Sequence, residues 1–197
     1  MQINEYDRGK INSASNLGLA GSIFIILGLI LNFLASFVGI ALSLIGYILI
    51  LVSLYELSQA YKNNLIFDTA IKGLIAAIAG SILLAIIAVT FIVAIFTSGF
   101  SPTTLSLGLP LVIIILILAY AILIIYGYYI KESYFQLSKS SGVKSFESVG
   151  KLYWYGTLLA IIVVGIIIII IGDIYAILAF HELSVVSNMP ITTNTNQ

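Results

Sequence analysis

The sequence contains no cysteine, one histidine and only 8% charged residues. Without cysteine the chain forms no disulfide, and one histidine does not supply the Cys/His sets that hold zinc. Eight Lys or Arg balance eight Asp or Glu, so no net charge attracts nucleic acid. No nucleophile elbow, phosphate-binding loop or paired-histidine motif occurs in the chain. We therefore expect no enzyme, no catalytic residue, no metal, no cofactor and no nucleic-acid partner.

Apolar residues, in contrast, make up 61% of the 197 residues. Soluble domains carry about 25% charged residues, far more than this chain. A single core cannot bury so many aliphatic side chains, because a domain of this size still exposes roughly a third of its surface. The surplus must face lipid, and we predict an integral membrane protein with the lipid bilayer as its partner.

Long apolar stretches indicate an all-α fold, a polytopic bundle of transmembrane helices. A spanning helix needs about 20 apolar residues. The last apolar stretch, residues 152–183, has 32 residues, too long for one span and short for two. Pro110 is predicted to lie in the first turn of the fourth span. The predicted spans are residues 17–37, 39–58, 73–96, 110–137, 146–164 and 165–184.

An internal repeat favours two spans in that last stretch. Gly39 and Gly46 precede the segment Glu56-Leu57-Ser58, and the same pattern returns as Gly165, Gly172 and Glu182-Leu183-Ser184. A weaker copy has Ala119, Tyr126 and Gln136-Leu137-Ser138 in the equivalent positions. We therefore predict six spans arranged as three helical hairpins. The alternative is five spans, with residues 152–183 as one long helix.

The basic residues predict the orientation of the chain. All eight fall on one side of the predicted spans, and the positive-inside rule makes that side cytoplasmic. We expect a cell-membrane protein with a cytoplasmic N-terminal segment over residues 1–16. A single transmembrane domain follows over residues 17–184, and residues 185–197 form a polar tail predicted to be disordered.

One acidic residue, Asp173, is predicted to lie within a span. An Asp at the bilayer centre costs about 2.5–3.5 kcal/mol on insertion scales, which suggests a proton or cation site. Tyr175, or Tyr47 at the neighbouring repeat position, is the candidate partner for it. The competing interpretation places Asp173 at the outer interface, capping the start of a helix.

Two further groups of residues have structural interpretations. Small residues at three- and four-residue spacing predict close helix packing, because small side chains let helix backbones approach in lipid. They are Gly18, Gly21, Ser22, Ala76 and Gly80. Aromatic residues between spans four and five predict an interfacial belt. They are Tyr128, Tyr129, Tyr134, Tyr153, Trp154 and Tyr155.

The chain also resembles a known family in several segments. They are the run Leu17 to Ile23, the Gly39 to Gly46 hairpin, the Leu54 to Phe67 stretch, Ser138 to Phe146, and the closing segment Gly165 to Phe180. Together they resemble the archaeal and bacterial membrane proteins called domain of unknown function 996, from about Lys10 to Ser184. The resemblance implies a multi-pass membrane fold and carries over no activity and no catalytic residue.

These observations support two hypotheses of function. The first is a non-catalytic structural or accessory subunit of a membrane assembly, with a membrane-protein partner or further copies of itself. Minimal loops and small-residue packing faces favour it. The alternative is a small ion or solute transporter or channel that uses Asp173.

Overall fold

The chain folds into six α-helices over the residues that the structure, a computed structural model, describes: 5–32, 34–98, 102–162 and 164–189. The helices are α1 (Glu5–Asn32), α2 (Ser36–Ala60), α3 (Leu65–Ser98), α4 (Pro102–Ser141), α5 (Ser145–Leu158) and α6 (Val164–Asn188). Consecutive helices pair as three hairpins, α1 with α2, α3 with α4 and α5 with α6. The all-α prediction of three hairpins is confirmed, while the three-fold sequence repeat stays a prediction.

Five of the six helices are long and apolar enough to cross a membrane. The exception is α5, whose 14 residues extend about 21 Å at 1.5 Å per residue. That length falls short of the roughly 30 Å hydrocarbon core of a bilayer. The structure thus has five helices of spanning length where six spans were predicted, and the predicted span 146–164 contains only the shorter α5.

The last apolar stretch nevertheless contains two helices. It breaks after Leu158, whose carbonyl accepts a hydrogen bond of 2.6 Å from the Tyr120 hydroxyl of α4. Helix α6 then folds back onto α5, and a Cβ added at Gly156 would lie 3.0 Å from the Gly165 carbonyl oxygen. The alternative of one long helix through residues 152–183 is therefore wrong, because two glycines allow the chain to reverse within a few residues.

The helices form a ring. Each packs against its neighbours in the chain, and α1 also packs against α6, which closes the circle. Of the six pairs of neighbouring helices around the ring, α2 and α3 pack least closely. Helices α1 and α6 also make polar contacts, since Ser184 donates a hydrogen bond of 2.9 Å to the Asn12 side chain.

The buried core lies at the end of the ring that carries the basic residues. Leu57, Ile66, Leu137, Phe146 and Phe180 are among its fully buried side chains. Two buried serines join neighbouring helices there through hydrogen bonds of 2.6 Å. They are Ser53, which donates to the Ala14 carbonyl, and Ser133, which donates to the Ile66 carbonyl. The described side chains in the opposite halves of α3 and α4 are mostly exposed aliphatic residues.

Glycines allow the first hairpin to pack closely, as the small-residue pattern predicts. A Cβ on Gly21 would lie 2.7 Å from the Gly46 carbonyl oxygen, and one on Gly46 would lie 2.6 Å from that of Gly21. In the second hairpin, a Cβ on Gly80 would lie 2.6 Å from the Ile122 side chain. The predicted packing of small residues is confirmed at Gly21 and Gly80.

Three predicted boundaries need correction. Pro110 lies inside α4, because that helix begins at Pro102, where a missing backbone N–H removes no helical hydrogen bond. Helix α6 continues to Asn188, so the predicted disordered tail is wrong for residues 185–188. Residues 190–197 of that tail lie outside the described residues. So do residues 1–4 of the N-terminal segment, whose remainder from Glu5 is the first part of α1.

Candidate functional site

Asp173 is buried inside the bundle. It is the tenth residue of α6, and 6% of its surface is exposed. The Tyr153 hydroxyl of α5 donates a hydrogen bond to Asp173 Oδ1. The interpretation of Asp173 as an outer-interface helix cap is therefore wrong, since the residue lies neither at a helix start nor at the surface.

The short helix α5 brings these two side chains together. Because the chain reverses direction between α5 and α6, Tyr153 lies against Asp173, which follows it by 20 positions in the sequence. At Gly172, beside Asp173, a Cβ would lie 3.4 Å from that of Leu152 and 3.7 Å from the Tyr153 ring. The turn between α5 and α6 thus positions the donor on its acceptor.

An aromatic stack continues from Tyr153 into the core. Its ring lies parallel to that of Tyr134 on α4, with centroids 5.9 Å apart and an angle of 2°. Tyr134 in turn stacks on Phe146 at 6.1 Å, and Phe146 meets Phe180 edge-on at 5.1 Å. Tyr134 and Tyr153 are only 3% and 5% exposed. The prediction that they belong to an interfacial belt is wrong, because both rings pack inward.

A small cavity of about 50 Å³ lies beside this stack, between α2, α3, α4 and α5. Four tyrosines and six aliphatic residues line it: Tyr47, Ile50, Leu51, Leu54, Ala70, Leu74, Tyr126, Ile130, Tyr134 and Tyr153. At about 50 Å³, this cavity is too small for an organic solute.

The structure brings together two of the three residues that the sequence suggested. Asp173 accepts the hydrogen bond of Tyr153, and Tyr47 lines the cavity to which Tyr153 also contributes. Tyr175 does not reach the site: it is 42% exposed on the outside of α6.

The hydroxyl that binds Asp173, that of Tyr153, was not predicted. No spacing signal links it to Asp173, because the pairing depends on the α5–α6 turn. Tyr126 could have been predicted from the sequence, since it occupies the repeat position of Gly46, next to Tyr47.

The donor set limits the chemistry of this site. Among the described residues, no group of three His, Cys, Asp or Glu could hold a metal ion. The site offers one carboxylate and several tyrosine hydroxyls, each of which both donates and accepts a hydrogen bond. Such a set suits the binding and transfer of a proton.

Fold and site together define a multi-pass helical membrane protein with a buried carboxylate–tyrosine pair. A family model described as "Protein of unknown function (DUF996)" matches residues 42–174. The chain belongs to this family, which confirms the resemblance seen in the sequence. It is similar to the uncharacterised protein MJ1644 of Methanocaldococcus jannaschii, with 36% identity over 160 residues, 80% of this chain and 88% of that protein. No solved structure matches the chain.

Proposed function

We propose that this protein is a non-catalytic membrane protein that carries protons, with Asp173 as the proton-binding group. The observation that supports the proposal is the burial of Asp173 within a spanning helix, against the Tyr153 hydroxyl. Ionisable residues inside membranes are costly and usually mark ion or proton pathways. A structural role would be served at lower cost by an apolar residue.

A proton fits the site better than a metal cation or a solute. A hard cation such as Ca²⁺ takes six to eight oxygen ligands, whereas the site offers one carboxylate. The adjacent cavity of about 50 Å³ excludes organic solutes.

We further propose that the protein lies in the cell membrane with its N-terminus in the cytoplasm. The eight basic residues support this orientation: two lie in α1, one in each of the α2–α3 and α4–α5 turns, and four in the parts of α3, α4 and α5 nearer those turns. Hydrogen bonds between Asn63 and Ser140, and between Ser145 and Glu182, bring these segments to one end of the ring.

The α3–α4 hairpin favours a second candidate, an accessory or structural subunit with a membrane-protein partner or further copies of itself. At 34 and 40 residues, α3 and α4 would extend about 51 and 60 Å at 1.5 Å per residue. Both lengths exceed a hydrocarbon core of roughly 30 Å. Exposed apolar residues continue along α3 as far as Phe96. Part of this apolar surface therefore extends beyond the hydrocarbon core, where a protein partner or a second copy would cover it.

Proton flux into liposomes tests the first proposal. The purified protein is reconstituted with a pH-sensitive dye trapped inside, and a potassium diffusion potential drives proton entry. We expect the wild type to acidify the lumen faster than protein-free liposomes do. Asp173→Asn should abolish this flux, because the amide keeps the shape of the side chain but binds no proton.

Two controls make the flux experiment specific. Asp68→Asn removes an exposed carboxylate at the first turn of α3 and should leave the flux unchanged. Tyr175→Phe removes a hydroxyl outside the site and should also have no effect. Wild-type flux equal to that of empty liposomes, or undiminished flux through Asp173→Asn, would refute proton carriage and leave the subunit role as the better candidate.

A further inference from the structure

A second polar site lies where α4 meets α5, around the ammonium group of Lys131. Three aromatic rings surround the Lys131 Nζ atom at 5.4 Å (Trp154), 5.5 Å (Phe135) and 5.8 Å (Tyr128) from their centroids. Each ring attracts a cation through the negative charge of its face. The lysine side chain is therefore held in one place instead of moving freely in water.

The packing of the two helices keeps this cage in shape. A Cβ on Gly150 of α5 would lie 2.9 Å from the Lys131 carbonyl oxygen and 3.0 Å from the Phe135 ring. This close approach positions Trp154, one turn further along α5, against α4. The Trp154 and Tyr128 rings then meet edge-on, with centroids 6.1 Å apart and an angle of 73°.

The cage holds a positive charge that pairs with no counterion in the described part of the chain. Among the described residues, no carboxylate lies within ion-pair distance of Lys131. The adjacent Glu132 accepts a hydrogen bond of 2.7 Å from Gln136. The Trp154 indole N–H and the Tyr128 hydroxyl also find no acceptor in the described part of the chain. The site thus combines a cation with unused hydrogen-bond donors.

The position of the cage indicates where an acceptor would come from. Lys131 lies ten residues before the end of α4 at Ser141, about 15 Å along the helix, and Tyr128 is 48% exposed. Trp and Tyr are enriched at the depth of the lipid headgroups, and long Lys side chains extend to the same level. Phosphate groups of lipids lie at that depth.

We infer that Lys131, Trp154 and Tyr128 bind the phosphate group of an anionic phospholipid. Phosphate oxygens accept hydrogen bonds from these donors and donate none. The negative charge of the phosphate also neutralises that of the lysine. A zwitterionic lipid fits less well, because its own ammonium group would approach that of Lys131. This site is separate from Asp173 and does not depend on the proposed proton carriage.

Trp154 allows a direct test, because it is the single tryptophan of the chain. Its fluorescence is measured in micelles that contain lipid with brominated acyl chains, which quench only a neighbouring indole. We expect brominated phosphatidylglycerol to bind about fivefold more tightly than brominated phosphatidylcholine, the preference expected of one lysine near an anionic surface. The preference should weaken at high salt.

Variants at two lysines complete the experiment. Lys131→Gln should remove the preference and Lys131→Arg should keep it, whereas Lys139→Gln, at an exposed lysine in the last turn of α4, should leave it intact. Equal quenching by both lipids in the wild type, which does not depend on any variant folding, would overturn the inference. So would a preference that survives Lys131→Gln. If inorganic phosphate at millimolar concentration reverses the quenching, the occupant is a soluble phosphate and the lipid assignment is wrong.

Discussion

Removal of one hydroxyl by Tyr153→Phe tests the structural basis of the Asp173 site. The phenylalanine keeps the ring that stacks on Tyr134, so the variant deletes only the hydrogen bond to Asp173 Oδ1. We expect the free energy of unfolding to fall by about 1.5–2 kcal/mol.

Two known ranges of hydrogen-bond free energies set this value. Hydrogen bonds to charged groups contribute about 1.5–3 kcal/mol in proteins. Interhelical hydrogen bonds in membranes average only about 0.6 kcal/mol and reach about 1.7, because the unfolded chain also finds partners in lipid. In the folded protein, Tyr153 is the side-chain hydrogen-bond donor to Asp173 among the described residues. Its loss leaves a buried carboxylate without a partner, so the cost should approach the upper membrane value.

Equilibrium unfolding in mixed micelles with increasing fractions of dodecyl sulfate measures the change. Tyr175→Phe is the matched control, because that hydroxyl is exposed and outside the site. A double-mutant cycle with Asp173→Leu, which removes the acceptor, isolates the pair from other effects. A penalty below about 0.6 kcal/mol, or no coupling in the cycle, would contradict the reasoning, since ordinary membrane hydrogen bonds already contribute that much.

Two further predictions concern the first hairpin and the surface of α5. Gly46→Leu should lower the stability by at least about 2 kcal/mol, because its Cβ would lie 2.6 Å from the backbone oxygen of Gly21. Thermal unfolding measures this, and Gly9→Leu, with no atom within 4 Å of the added Cβ, should have little effect. On α5, the hydrogen bond and charge of Lys151 lower the pKa of Glu147. Any stabilisation by this pair is therefore present above the unfolded-state pKa and lost as the pH falls through the lowered one. Carboxyl ¹³C NMR should show the Glu147 pKa rising towards its ordinary value in Lys151→Gln, and an unchanged pKa would contradict the pairing.

The amino-acid sequence by itself determined the class of this protein. Hydropathy predicts burial in lipid, and only helices and closed barrels satisfy all backbone hydrogen bonds there. Long apolar runs therefore predict helices at nearly the observed places. Small-residue spacing predicted close helix packing at Gly21 and Gly80, because the requirement for a small side chain is local to each position, but it did not predict which helices meet.

The candidate site shows how much of a function could be predicted. The polarity of Asp173 in an apolar run singled it out, and the repeat pointed to Tyr47. Hydropathy, however, does not distinguish an aromatic ring that faces lipid from one that faces the core, because both environments are apolar. Tyr134 and Tyr153 were thus predicted to lie at the interface, although both are buried.

Only the tertiary structure decided where the last apolar stretch reverses and which side chain reaches Asp173. No proline interrupts residues 152–183, so local preferences fit one long helix as well as two. The reversal depends on contacts distant in sequence, such as the Tyr120 hydroxyl on the Leu158 carbonyl. Since α5 ends there, Tyr153 lies beside Asp173 and not on the lipid-facing side of a longer span.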